Sequence, residues 1–506
     1  MLHGGLRYLE NGEFRLVREA LHERNLLLRN APHYARPLPT TIPVFKRFSG
    51  LWNAPLKFLN LLDRPAERGA IVIKIGLMLY DTYVRGESPM PGHYFLSRAK
   101  SLAEFPQINP RILCTANYYD GAMIPMERLC VELVLDAEAE GDHARALNYV
   151  SVVGAERHTV TLRDGVTAKT FTVKPHIVIN AAGPWIDFAN RALGHTTHFI
   201  GGTKGSHLVL AHPDLRRAIG NHGFFFENHD GRIVEINPFM DKVLVGTTDI
   251  RLDDPDEAIC TDEEERYILS MISGVFPNIR VEHTQVVFRY AGVRPLPTTE
   301  ASTTGQISRD HSIKIVEVGD GLEFPILSLI GGKWTTFRAF SEQAADAALA
   351  RLGKPRQRST GHLPIGGGRD FPTDQAAQME WVARVSQATG LRVDHVLALL
   401  RRYGSRAEEV AGAVVGGFGD DKPLKNRPDY SHKEIAFLAQ REKVICLDDL
   451  ILRRTLMGLL GDTTLELVKE LGTVIGHALD WPDARVKSEI KRAAEALENK
   501  SGIALN

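Results

Sequence analysis

Cysteine is scarce in this chain: four among 506 residues, at Cys114, Cys130, Cys260 and Cys446, with no C-x-x-C pair. A disulfide framework and a zinc site are therefore not expected, and a reducing cytoplasm suits the composition. An excess of one charge sign is also lacking. The formal net charge is −1 and the pI is near 7.0, so nothing global points to nucleic acid or to an anionic membrane surface, and any anion site must be local. No apolar run reaches the ~20 residues that span a bilayer. The nearest, Ile71 to Val84, is broken by Lys74 and Asp81 and predicts a buried or interfacial helix. No signal peptide is read at Met1. The patterns H-E-x-x-H and G-x-S-x-G and paired catalytic carboxylates are missing, which leaves hydrolase and zinc-enzyme classes without support.

What is present favours an α/β chain of more than one domain. Of the 506 residues, 43% are hydrophobic, enough for more than one core. A helix is predicted from Glu13 to Ala31, with Phe14, Val17, Leu21 and Leu28 along one face. The apolar run His176 to Asn180 meets Ala181-Ala-Gly-Pro-Trp185 and then a helix, Ile186 to Leu193. A buried strand, a glycine turn and a helix in succession mark an α/β unit. Segments 206–210, 223–227, 232–236 and 242–246 have strand length and turn-like spacing, and predict an antiparallel meander. Thr261-Asp-Glu-Glu264 reads as a capping box. The strand ending at Ile330 runs into Gly331-Gly-Lys-Trp-Thr-Thr336 and a helix from Phe337 to Leu352. From Asp374 onward the pattern is almost wholly helical, with capping boxes expected at Ser405 and Ser431 and a helix start after Pro482.

Five constellations could carry chemistry. His3-Gly-Gly-Leu-Arg-Tyr8 sets an imidazole, a guanidinium and a phenol around two glycines that let the backbone approach a bulky ligand. Arg289-Tyr-Ala-Gly-Val-Arg-Pro-Leu296 reads as two arginines flanking a glycine turn, and Ser308-Arg-Asp310 adds Arg309. Together these guanidinium groups suit a small dianion, which they can bind in a bidentate way. Gly331-Gly-Lys-Trp-Thr-Thr336 places a glycine pair and Lys333 at a helix N-terminus, a ready anion site without P-loop spacing. Lys204-Gly-Ser-His207 offers His207. Taken singly, the first reads as well as a capped turn, each arginine reads rather as a surface ion pair and His207 rather as a structural histidine, and the Gly331 segment has an ordinary strand–turn–helix joint as its alternative.

Taken in order, the motifs resemble the FAD-dependent, aerobic glycerol-3-phosphate dehydrogenases. The family segment L-(I/L)-H-G-G-L-R-Y-L-E is matched at Leu2 to Glu10, and Phe-Arg-Leu-Val at Phe14 to Val17. N-A-(A/T)-G-P-W is matched from Asn180, K-G-S-H from Lys204, G-T-T-D from Gly246 and G-V-R-P-L from Gly292. S/T-R-D is matched from Ser308 and G-G-K-x-T-T from Gly331, while Tyr403-Gly-Ser405 and Leu452 to Thr455 are similar to the family's helical C-terminal part.

The resemblance implies a glutathione-reductase-like FAD domain interleaved with an antiparallel-sheet substrate domain, plus a C-terminal all-helical cap. The FAD parts are expected at about 1–35, 115–200 and 305–355, the substrate parts at about 36–114 and 201–304, and the cap over 361–506. It implies oxidation of glycerol 3-phosphate to dihydroxyacetone phosphate, with electrons passed to a quinone. It also implies peripheral contact with the cytoplasmic membrane and a homodimer. His3 is expected as the base, with His207 second and Arg294 beside them. Arg7, Tyr8, Lys204, Arg294, Arg309 and Lys333 are expected on substrate. His3, Gly4, Gly5, Leu6, Ala182, Gly183, Trp185, Gly331, Gly332, Lys333, Thr335 and Thr336 are expected on FAD. Erythritol phosphate as substrate and oxygen as acceptor are the alternatives within the family.

One departure stands out. Family members open with a strand, a G-x-G-x-x-G turn, a helix and an acidic residue about 20 residues later. No G-x-G-x-x-G occurs here, and the match begins at Leu2. The expectation is a truncated or mis-assigned start whose full product is active. The alternative is a short protein that binds FAD poorly and serves as an inactive interaction module. The stretch Leu51 to Ile71 is also longer than the family loop.

Overall fold

The computed structural model describes residues 1–6, 8, 13–47, 69–83, 90–228, 231–298, 310–319, 321–416, 421–502 and 505. The chain opens with helix α1 (Phe14–Asn30), strand β1 (Ala35–Val44), α2 (Ala70–Tyr83), β2 (Tyr94–Ser97), α3 (Arg98–Glu104), β3 (Cys114–Met123) and α4 (Met126–Ala139). Next come β4 (Val150–Glu156), β5 (Thr159–Asp164), β6 (Thr170–Val173), β7 (Val178–Asn180) and α5 (Ile186–Ala192). Then follow β8 (Thr203–Leu210), α6 (Pro213–Ile219), β9 (Gly223–Glu227), β10 (Ile233–Phe239), β11 (Lys242–Gly246), β12 (Ile250–Arg251), α7 (Asp262–Val275) and β13 (Val286–Arg294). The strands β14 (Ser312–Val316) and β15 (Ile326–Ile330) lead to α8 (Phe337–Arg351). The remainder is helical: α9 (Gln375–Thr389), α10 (Val393–Tyr403), α11 (Ala407–Gly416), α12 (His432–Arg441), α13 (Leu465–Ala478) and α14 (Asp483–Ser501).

The expected meander forms the heart of a nine-stranded sheet. In it β8 lies between β13 on one side and β11 with β12 on the other, and β10, β9, β1, β3 and β2 continue the order. Pairing is antiparallel except where β1 runs parallel to β9, so the sheet is mixed rather than purely antiparallel. Strand β3 had been expected with the FAD part. It instead pairs with β1 over ten register positions, from Ala35 opposite Met123 to Val44 opposite Cys114. Two smaller sheets stand apart: β14-β15-β7, in which β15 is parallel to β7, and the antiparallel β4-β5-β6.

Strand alternation gives the large sheet two different faces. One face buries Leu208, Leu210, Val234 and Ile236 against Ile268 and Ile272 of α7, each such side chain contributing roughly 1.5–3 kcal/mol. The other face is covered near β3 by the N-terminal segment, α1 and α2, through Tyr8, Leu21, Leu77, Tyr80 and Tyr118. Near β13 it meets Leu452 and Leu460 of the C-terminal helical part, which pack with Val209 and Phe288. On α1 the predicted stripe is buried at Val17, Leu21 and Leu28, but Phe14 at the helix start is 37% exposed. Among the described residues no helix is long and apolar enough to cross a membrane.

The helical part is held to the rest by charge and by glycine. Arg128 of α4 donates to both oxygens of Glu442 at 2.8 Å and to the Tyr34 hydroxyl at 2.9 Å, and its guanidinium lies 4.6 Å from the Tyr403 ring centre. Gly366 and Gly368 fit against the rest without room for a methyl: a Cβ on Gly366 would stand 2.0 Å from Glu132 Oε2, and one on Gly368 2.2 Å from the Asn30 carbonyl oxygen. The capping box expected at Ser405 does not form, because 404–406 is a 3-10 turn that leads into α11 at Ala407. Ser431 does cap α12, accepting from the Glu434 N–H at 3.2 Å. The Glu434 carboxylate is drawn away to Arg402 and Tyr403.

Candidate functional site

The face of the large sheet opposite α7 gathers several of the motifs. Residues directly opposite across β8 and β13 share a face: Tyr290 with His207, Gly292 with Gly205, Arg294 with Thr203. Their neighbours Lys204, Ser206 and Leu208 face α7. Parity therefore decides two expectations. Lys204 lies three residues from His207 and must point the other way. Its ammonium donates to Glu264 at 2.7 Å and to the Ile259 carbonyl at 2.8 Å. Lys204 is thus a core cation and not a substrate ligand. Arg289, five residues from Arg294, also faces α7 and pairs with Asp262 and Glu265. No glycine turn separates the two arginines, since 286–294 is one continuous strand.

Glu264 is the anchor on the buried side. It accepts from Lys204, from the Ser206 and Thr248 hydroxyls at 2.8 and 2.7 Å, and from the Thr261 N–H at 3.0 Å, completing the predicted capping box of α7. Burial alone would raise its carboxyl, but these hydrogen bonds, Lys204 first, outweigh burial and hold it at about 2.

On the site face two glycines sink a trough into the sheet. A Cβ on Gly205 would lie 2.2 Å from the Arg294 Nη2, and one on Gly246 would lie 2.2 Å from the His207 Cδ2. The guanidinium and the imidazole therefore lie flat over bare backbone. Arg294 is steadied by Asp249 at 3.2 Å, the Thr247 hydroxyl at 3.1 Å and the Thr248 carbonyl at 3.2 Å. His207 stacks on Tyr290, with ring centres 5.3 Å apart and planes 11° apart. Burial and then the Arg294 charge push this imidazole down to about 3, so it is neutral across the physiological range. Its Nδ1 is enclosed and has no hydrogen-bond partner among the described residues. In the same cross-strand row, past Gly246, stands Glu235, whose carboxyl is raised by burial and by nearby Asp120. Beside the row lies a cavity of about 260 Å³ lined by Val209, Phe239, Phe288, Tyr290, Leu452 and Leu459 among others.

The His-Gly-Gly and Gly-Gly-Lys motifs meet each other. The His3 carbonyl accepts from the Thr335 hydroxyl at 3.3 Å, and Lys333 Nζ sits 4.6 Å from the Tyr8 ring centre. Gly5, at φ +82°, leaves room for both the Tyr8 ring and Lys333; a Cβ there would be 2.2 Å from Tyr8. Gly331 and Gly332 take φ of +77° and +90°, and a Cβ on Gly331 would meet the Asp310 carbonyl oxygen at 2.5 Å. Such a turn, opening onto α8 through a short 3-10 segment that buries Thr335 and Thr336, presents backbone to a ligand. Gly331 N donates to the Pro295 carbonyl, which ties this loop to the end of β13.

The other expected cofactor residues scatter more. Ala182 and Gly183 form the turn after β7, beside β15, with Gly183 at φ +58°. Trp185 donates its indole N–H to Asp256 at 3.0 Å and stands 41% exposed. Leu6 packs into the apolar cluster around Leu77 and Tyr80. Arg7 and Arg309 lie outside the described residues. Three residues that the sequence reading passed over complete the region: Arg24, Tyr80 and Asp120, buried together beneath Gly4. Arg24 did leave a signal, for it occupies the apolar stripe of α1 between Leu21 and Leu28, where a charge implies a buried partner.

Comparison with known proteins gives the family and the fold. The model of the family described as FAD dependent oxidoreductase matches residues 1–324, and that described as C-terminal domain of alpha-glycerophosphate oxidase matches 358–486. A glycerol-3-phosphate dehydrogenase from Synechocystis sp. is 31% identical over 522 residues, covering 98% of this chain and 88% of the relative. A D-erythritol 1-phosphate dehydrogenase from Brucella abortus is 29% identical, covering 90% and 85%. The fold is similar to the crystal structure of the glycerol-3-phosphate dehydrogenase from Bacillus halodurans complexed with FAD, with a TM-score of 0.73 at 22% identity over 96% of this chain and 86% of that one.

Proposed function

The chain belongs to the FAD-dependent glycerol-3-phosphate dehydrogenase family of flavoprotein oxidoreductases, and from that premise we propose that it oxidises sn-glycerol 3-phosphate to dihydroxyacetone phosphate and passes the electrons to a quinone. The observation that carries the reading is the trough. A fixed guanidinium and a neutral imidazole lie side by side on one sheet face, and the residue after Arg294 is tied through the Pro295 carbonyl to the glycine turn that carries Lys333 and meets the His-Gly-Gly segment.

The residues that would hold FAD are the backbone of His3, Gly4 and Gly5, the turn at Ala182 and Gly183, where a Cβ on Gly183 would meet only open space, and the positive-φ pair Gly331 and Gly332 ahead of α8. FAD, when bound, supplies the acceptor for the hydride that leaves C2 of the substrate. The rest is work for side chains. Arg294 binds the phosphate, assisted by Arg309 and Arg7, because a guanidinium matches phosphate oxygens in pairs. His3 takes the hydroxyl proton as the C2–H bond breaks. His207, held neutral, orients the hydroxyl by a hydrogen bond, and its low basicity makes it the weaker base. Lys333 and Tyr8 close the opposite side, where the ammonium favours negative charge developing nearby.

A second reading within the family is a four-carbon polyol phosphate. It is favoured by Glu235, which extends the polar row past Gly246 and offers a partner for one more hydroxyl. The test is an assay of the purified yellow protein with a soluble quinone analogue and both substrates. Higher kcat/KM for glycerol 3-phosphate is expected. Reduction by erythritol phosphate alone would transfer the assignment to the second reading, and reduction by neither would sink both.

A further inference from the structure

The peptide unit between His3 and Gly4 is gripped at both ends. Its carbonyl oxygen accepts from the Thr335 hydroxyl at 3.3 Å. Its N–H donates to the Tyr80 hydroxyl at 2.9 Å and to Asp120 Oδ1 at 3.2 Å. In a trans peptide these groups point in opposite directions, so holding both fixes the rotation of the plane. The same Asp120 oxygen accepts from the Tyr80 hydroxyl and from Arg24 Nη1 at 2.9 Å. Arg24 Nη1 also donates to the Tyr119 carbonyl at 3.0 Å. Tyr80 and Asp120 come from α2 and β3 and meet at one backbone amide, and Arg24 of α1 braces both. The Arg24 and Asp120 side chains are 1% and 2% exposed. A buried ion pair adds little stability over apolar groups of the same shape, whereas it does fix geometry. Nor can the amide shift: a Cβ on Gly4 would stand 2.4 Å from the Tyr80 hydroxyl oxygen and 2.3 Å from Leu21 Cδ2.

We infer that Asp120 and Tyr80, braced by Arg24, are positioning residues that set the His3–Gly4 peptide plane and so aim the His3 imidazole and hold Gly5 against Lys333. The inference rests on the reading of His3 and Lys333 as active-site groups. A merely structural role would affect folding alone.

Tyr80→Phe and Asp120→Asn, made singly in the FAD-loaded protein, separate the two. Each should lower kcat about tenfold while KM stays within twofold, since a displaced reacting group costs rate more than binding. Amide hydrogen exchange in the peptide covering residues 1–8 should speed up in both variants. Tyr118→Phe removes a neighbouring buried hydroxyl that does not touch this peptide, and should change neither readout. Unchanged exchange in Tyr80→Phe and Asp120→Asn would overturn the inference, as would an equal effect of Tyr118→Phe. If the wild type oxidises no polyol phosphate, the functional reading fails, and the exchange readout still decides whether the clamp exists.

Discussion

At the scale of single residues, Arg294 and His207 lie side by side over glycine and do different work. Arg294 is steadied by Asp249, Thr247 and Thr248. Arg294→Ala should cut kcat/KM for the phosphorylated substrate about a hundredfold, ~2.7 kcal/mol of lost transition-state binding; steady-state kinetics on the variant and wild type measure this. His207 is the opposite case. With its folded value near 3 against an ordinary 6.5, it stays neutral from well below pH 5 upward. The unfolded chain binds the proton that the folded one refuses, so stability from this group is complete above about 6.5 and declines as pH falls toward 3. An acid limb near neutrality in the pH–rate profile must then arise elsewhere. His207→Gln should lower the plateau yet leave that limb at the same pH; a limb that disappears with the substitution would assign the titration to His207.

At the scale of elements, β8 shows what could be read in advance. Its length and apolar character were legible, as was its place in a meander, because strand residues repeat with period two. The pairing of motifs at one site was legible only through resemblance. The side that Lys204 faces was hidden, since its partner Glu264 comes from a helix some sixty positions on and the motif K-G-S-H gives no hint of which residue turns inward. The Arg24–Tyr80–Asp120 cluster was harder still. Its members come from three elements, and the contacts among them span 40 to 96 positions. The two faces of β8 can be tested against each other. Gly205→Ala presses a methyl onto Arg294 and should raise KM about tenfold, a change of ~1.4 kcal/mol in substrate binding. Ser206→Ala, one position along but facing α7, should leave KM unchanged and lower stability by about 1 kcal/mol through the lost bond to Glu264. Kinetics and urea unfolding of the pair give both numbers, and a KM effect of Ser206→Ala equal to that of Gly205→Ala would refute the assignment of faces.

At the scale of the whole molecule, the C-terminal helical part borders the trough at Tyr290. The C-terminal helices reach the large sheet through Leu452 and Leu460 and are fastened by Arg128 and Glu442. Breaking that pair on one side leaves a buried charge, so Arg128→Met should destabilise by about 3–5 kcal/mol. Adding Glu442→Leu should recover most of the loss. Thermal unfolding of the single and double variants measures the recovery, and a double variant as unstable as the single one would mean that the pair is not the fastening.

The glycine joint adds a restriction of another kind. Gly366, Gly367 and Gly368 press against Glu132, Tyr403 and Asn30, and Gly404 presses back on Gly367, with no space for one methyl group between them. Such a seam has no tolerance to share out between its halves. A change on one side can be accommodated only by a matching change on the other, so the two parts of the chain must drift together over descent. A hybrid that joins the first 360 residues to a relative's helices takes Asn30 and Glu132 from one parent and the glycines from the other, so its seam closes only where the two match.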